Sequence, residues 1–142
     1  MAKRVSDRGF PRFQEVVIPI LRAGLPENVK VGSWVEDIDH RQYPQVNVRR
    51  VGGPRDIGQP FRLDRPTMEL TVYHDQGLIE AEDLYALSLD LLFEAWHNQT
   101  LTPAGYLARV EEFMGMTQFS SLFQDTWRVQ GLVSLSVRPL ER

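Results

Sequence analysis

The stretch "TWRVQGLVSLSVRP" (126–139) decides the fold class. In an extended chain it sets Trp127, Val129, Gly131, Val133, Leu135 and Val137 on one side, and Arg128, Gln130, Ser134, Ser136 and Arg138 on the other. Such sustained period-two alternation predicts a long, half-exposed strand, and Pro139 ends it. A strand with one apolar face needs neighbours of the same kind. "RPTMELTVYHD" (65–75) supplies one, setting Met68, Leu70 and Val72 against Glu69, Thr71 and Tyr73. "YPQVNVRRV" (43–51) supplies another, with Val46 and Val48 opposite Asn47 and Arg49. Two more are expected in "NVKVGSWVE" (28–36) and around Leu107 to Phe113.

Two segments have the helical period instead. "PRFQEVVIPILRAGL" (11–25) starts on Pro11, closes on Gly24 and places Phe13, Val16, Val17, Ile20 and Leu21 on one face. Pro19 predicts a kink or a late start. "GLIEAEDLYALSLDLLFEAWHNQ" (77–99) opens with Glu80, Glu82 and Asp83, which suit the positive end of the helix dipole. Its stripe of Ala81, Leu84, Tyr85, Ser88, Leu91, Leu92 and Ala95 is broadened by Leu87, Leu89, Phe93 and Trp96, so this helix needs cover on more than one side. The order α, β, β, β, α, β, β predicts an α+β domain: about five strands in a mostly antiparallel or mixed sheet, with two helices on one face and a polar opposite face. The domain is expected over 11–142, behind a basic tail, 1–10, that is mobile unless a partner orders it.

At 142 residues, with 42% hydrophobic and 25% charged residues, the chain has the size and composition of one globular domain. The net charge of −3 gives no overall pull toward nucleic acid or anionic membrane. There is no cysteine, hence no disulfide framework and no thiolate metal site. No apolar run is long enough to span a membrane, and the basic start lacks the pattern of a secretory signal. The chain is expected to be cytosolic when made. Of the 16 basic residues all but Lys3 and Lys30 are arginine. Coding bias in a GC-rich genome explains that, and so does a use for forked guanidinium contacts at interfaces.

Catalytic readings find little support. "RRVGGPRD" (49–56) lacks the Gly-x-x-x-x-Gly-Lys-Ser/Thr spacing of a phosphate loop, and its glycines open no helix. It reads as a strand running into a long irregular connection, 52–66. His40, His74 and His97 have no helical partner and would need distant co-ligands to hold a metal. The acidic groups Glu36-Asp37-Asp39, Glu80-Glu82-Asp83 and Glu111-Glu112 read as solvated or helix-terminal, and Ser120-Ser121 has no base beside it. No enzyme, cofactor or metal is expected. Arg49, Arg50, Arg55, Arg62 and Arg65, with Phe61 among them, could track a phosphate backbone. Asp56 and Asp64 dilute that cluster, and no nucleic-acid-binding signature accompanies it.

"LPENVKVGSWVE", "PQVNVRRVGGPRD", "PFRLDRPTMELTVY", the long helix and the final "TWRVQGLVSLSVRP" together resemble the tail terminator proteins of long-tailed bacteriophages, those of actinobacteria above all. The resemblance covers about residues 11 to 139. It implies a structural virion protein that forms a ring, usually a hexamer, on the finished tail tube. Such a ring stops tube growth and forms the joining surface for the head at the tail–neck junction. It also implies the partners: further copies of the chain, the major tail tube protein and a head-completion or neck protein. No membrane and no specific nucleic acid are implied, with DNA passing through the ring. A neck or head-completion protein of the same virion is the alternative, and a nucleic-acid-binding accessory protein a more remote one. On this reading Arg49, Arg50, Gly52, Gly53, Arg55, Asp56, Phe61, Arg62, Asp64 and Arg65 form a subunit or tube interface, where alternating charges fix register. Each of these charges could equally be solvated. Phe119, Leu122, Phe123 and one side of Trp34 are further interface candidates, or they close the edge of the core.

Overall fold

A computed structural model describes residues 9–33, 42–121 and 125–140. Seven elements follow one another: α1 (Gln14–Gly24), β1 (Lys30–Gly32), β2 (Gln45–Gly52), β3 (Thr67–His74), α2 (Leu78–His97), β4 (Gly105–Phe119) and β5 (Trp127–Pro139). The strands form one five-stranded sheet in the order β1-β2-β3-β5-β4. Among the described strands only β1 and β2 run parallel; the other neighbouring pairs are antiparallel. The α+β class, the five strands and the two helices are those expected.

The strand that decides the class also lies inside the sheet. After β3 the chain crosses the sheet as α2 and returns at the far edge as β4, and β5 then inserts between β4 and β3. A strand paired on both edges must be apolar on the face that the helices cover. Val129, Val133, Leu135 and Val137 are accordingly at most 2% exposed. They continue an apolar layer of Val46 and Val48 on β2, Met68, Leu70 and Val72 on β3, and Leu107 and Val110 on β4.

Both helices bury the predicted stripes: Val16, Val17, Ile20 and Leu21 on α1, and Ala81, Leu84, Tyr85, Ser88, Leu92 and Ala95 on α2. Leu91 reaches α1 instead, so closely that a Cβ on Gly24 would overlap its side chain. This second contact covers part of the extra apolar width of α2, with Leu89, Phe93 and Trp96 partly buried and Leu87 left exposed. Pro19 neither delays nor ends α1, which spans Gln14–Gly24 with Pro19 on its exposed face. There the carbonyl that loses its helical partner can turn to water.

Four details depart from the sequence reading. β1 has three residues, and the remainder of its expected span from Trp34 onward lies outside the described residues. β4 is longer than Leu107–Phe113, and it absorbs much of the stretch 114–125 that shows no period. The period is hidden because β4 slips register against β5 three times, between Leu107 and Arg109, Glu112 and Met114, and Met114 and Thr117. Each slip resets the alternation. The far face of the sheet is polar but not fully solvated, since Gln45, Asn47, Thr71 and Gln130 are buried on it. They bond side by side, Thr71 Oγ1 donating to Gln130 Oε1 (3.3 Å) and Gln45 Nε2 to Asn47 Oδ1 (3.2 Å). Finally, Phe10 belongs to the core at 5% exposure, whereas residues 1–8 of the expected tail lie outside the described residues.

Tyr85 is where α2 meets the sheet. Its ring lies over Gly131 of β5, and its buried hydroxyl has no hydrogen-bond partner among the described residues. Burial, helped by the Glu112 carboxylate, pushes its pKa up to about 12. The folded chain therefore keeps this proton while the unfolded chain releases it near pH 10, the usual tyrosine value. Below pH 10 the group adds no pH dependence. Between pH 10 and 12 stability falls by about 2–3 kcal/mol. Tyr85→Phe should leave stability unchanged or raise it by up to about 1 kcal/mol at pH 7, because no bond is lost. Urea unfolding at pH 7, 10 and 11.5 should show this alkaline loss reduced in the variant.

Candidate assembly surface

The connection between β2 and β3 is built by two glycines. β2 loses register with β3 between Arg50 and Gly52, and Gly52 and Gly53 take φ of 136° and 88°. These angles strain any residue with a Cβ. At Gly53 a Cβ would also overlap the Arg65 carbonyl oxygen and come within 2.6 Å of the Thr67 nitrogen. The chain thus bends sharply while its two arms stay against each other.

Beyond the bend the segment is ordered, not irregular as the sequence suggested. Arg55 and Asp64 form an antiparallel bridge, and Asp56 N–H donates to the Leu63 carbonyl at 3.0 Å. Asp64 exchanges two backbone bonds with Val137 at 3.0 and 2.8 Å, and Leu135 N–H donates to the Pro66 carbonyl at 2.9 Å. The loop is a bent continuation of the β2–β3 hairpin, docked along the end of β5.

Side chains lock this arrangement. Arg50 grips Asp64 with both guanidinium nitrogens, at 2.6 and 2.9 Å, and also donates to the Gly53 carbonyl. The Asp64 side chain is only 5% exposed. Asp56 pairs with Arg65 at 2.9 Å and accepts the Gly58 N–H, and Arg49 pairs across strands with Glu69 at 2.9 Å. Arg49, Arg50, Asp56, Asp64 and Arg65, expected to offer charge to a neighbour, are thus bonded within the chain. Arg55 lies 5.2 Å from the Phe10 ring centroid.

At the tip Ile57 is fully exposed and Phe61 is 80% exposed. The Arg62 side chain has no partner among the described residues. Polar replacement there touches no packing, so Ile57→Ser and Phe61→Ser should each shift unfolding free energy by less than about 0.5 kcal/mol. Chemical denaturation checks this. Of the remaining candidates, Phe119 is 36% exposed near the end of β4 with the Arg128 guanidinium 5.2 Å from its ring centroid. Leu122, Phe123 and Trp34 lie outside the described residues.

Two exposed features were missed by sequence reasoning. Ile57, a lone apolar residue between Asp56 and Gly58, carries no periodic signal. The outer face of α2 carries Ile79 (71% exposed), Asp83, Leu87 (39% exposed), Asp90 and Glu94. The sequence reading counts Leu87 in the apolar width that α2 would cover and does not single out Ile79, yet both are exposed. No group of three or more His, Asp or Glu side chains among the described residues could hold a metal ion. No described helix is long and apolar enough to cross a membrane.

The chain is 50% identical over 130 residues to the protein called Gene 22 protein in Mycobacterium phage L5, and equally so to its namesake in Mycobacterium phage D29. Each alignment covers 91% of this chain and 94% of the relative. The family model described as phage tail termination protein matches residues 9–142, nearly the whole chain. With that match spanning every element of the sheet and both helices, the chain belongs to the phage tail termination protein family and is a structural protein of the phage tail.

Proposed function

We propose that copies of this chain form a ring, a hexamer by the family pattern, that caps the finished tail tube, ends its polymerisation and presents the surface to which the head joins. The observation that carries this reading is the family match over residues 9–142. The chain's own build supports it: Arg50, bonded to the buried Asp64 carboxylate, holds a loop whose tip offers Ile57, Phe61 and Arg62 to solvent. A rigid, apolar-tipped projection suits protein contact better than turnover of a small molecule. The partners on this reading are further copies of the chain, the major tail tube protein and a head-completion protein, with DNA passing through the ring.

Deleting the gene and viewing the tails by negative-stain electron microscopy tests it. Overlong tails of irregular length, unattached to heads and restored by the gene supplied in trans, are expected. Tails of normal length beside leaking heads would instead assign the chain to the neck.

A further inference from the structure

The described surface is divided by charge. Around the 52–66 loop, Arg55, Arg62 and Arg138 form no ion pair with any described residue, and Ile57 and Phe61, between Arg55 and Arg62 in sequence, are both exposed. Arg138 reaches only Gln59, at 3.3 Å. On α2 the opposite holds. Glu80, Glu82, Asp83, Asp90 and Glu94 have no ion pair with a described residue, and the helix contains no lysine or arginine. Ile79, Asp83, Leu87, Asp90 and Glu94 fall within one outward stripe at helical spacing.

Each surface pairs large exposed apolar groups with unspent charge of one sign, and the signs are opposite. The two cannot satisfy each other within one copy at the N-terminal half of α2. The loop leaves the sheet at the Thr67 end of β3, while α2 begins beyond His74 at the other end of that strand. Two different patches that complement each other between copies make a head-to-tail contact, the kind that closes rings.

We infer that the loop tip of one copy, Ile57, Phe61 and Arg62, docks on the outer face of α2 of the next copy, between Ile79 and Leu87 and against Asp83 and Asp90. This rests on the ring proposed above and names its contact. Apolar groups supply the buried area, while Arg62 and the carboxylates set orientation. Contact at an exposed charged face also makes the assembly weaken with salt.

The absence of cysteine makes the test direct. Phage carrying Phe61→Cys together with Ile79→Cys are oxidised as whole virions and run on a non-reducing gel. A ladder of covalent multimers, abolished by reductant and absent from either single variant, is expected. A second arm reverses charge: Arg62→Glu should weaken assembly about tenfold or more, as expected for juxtaposed like charges, and Asp83→Arg with Asp90→Arg should restore it. A multimer seen by native mass spectrometry with no disulfide ladder and no charge rescue would overturn this contact and leave the ring standing. A disulfide dimer from Phe61→Cys alone would mean loop-to-loop contact and also overturn it. So would a photo-reactive group at position 61 that labels the tube subunit and not α2. A single copy per tail would remove the ring reading and the contact with it.

Discussion

Valine at position 131 should cost the chain about 3 kcal/mol of stability, although valine is the better strand residue by propensity. Gly131 lies on the helix-facing side of β5, paired with Leu70 of β3. A Cβ there would overlap the Tyr85 hydroxyl and come within 2.8 Å of the Met114 carbonyl oxygen. The first obstacle is the end of a stiff, buried side chain, and the second is backbone of the adjacent strand. Neither yields without moving α2 or β4, which bear on the same core. Gly131→Ala should already cost more than about 1 kcal/mol, and Tyr85→Phe should relieve only part of it because the Met114 carbonyl remains. Urea unfolding of the three variants checks this. A Gly131→Val chain as stable as wild type would mean that α2 packs on the sheet differently from the arrangement described.

Arg50→Ala should also be damaging, at about 2 kcal/mol, because it takes the cation from the Asp64 carboxylate, which is 5% exposed while Arg50 is 36% exposed. The lost pair is only part of the cost. Asp64 also sits where the loop exchanges backbone bonds with Val137, so its hydration requires lifting the loop from β5. The pair can be separated from the burial penalty. Arg50→Ala with Asp64→Ala should be more stable than Arg50→Ala alone, because the stranded charge is gone. Amide exchange at Val137 and Leu135 should rise in the single variant, since both amides donate to loop carbonyls. Protection unchanged at those amides would show that the loop holds without the lock.

Elements governed by one repeating environment were legible in the sequence. β5, β3 and the stripes of both helices follow period two or 3.6 against a single apolar layer, and the structure keeps their faces. Legibility failed where the environment changes along an element. β4 slips register three times, so Phe113 and Met116 interrupt its alternation and its second half carries no pattern. The 52–66 segment has no period because its order comes from a glycine bend, an ion pair and bonds to a strand some 70 residues later. The sequence showed its charges but not that Arg50, Asp56, Asp64 and Arg65 would bond to one another. Phe61 and Arg62 stand among the sequence candidates and are left once those pairs are removed, whereas Ile57 joins them only through its exposure in the structure. The outer face of α2 is a different case, since its stripe lies in plain sequence beside a stronger apolar one.

Termination itself is tested most directly by adding the purified chain to tail tubes as they grow from isolated tail-tip complexes, then measuring tube lengths over time by electron microscopy. The account predicts that lengths freeze at the moment of addition, with gold-labelled chain at the growing end alone, and that Phe61→Ser lets growth continue. Tubes that lengthen at the same rate with and without the wild-type chain would contradict it.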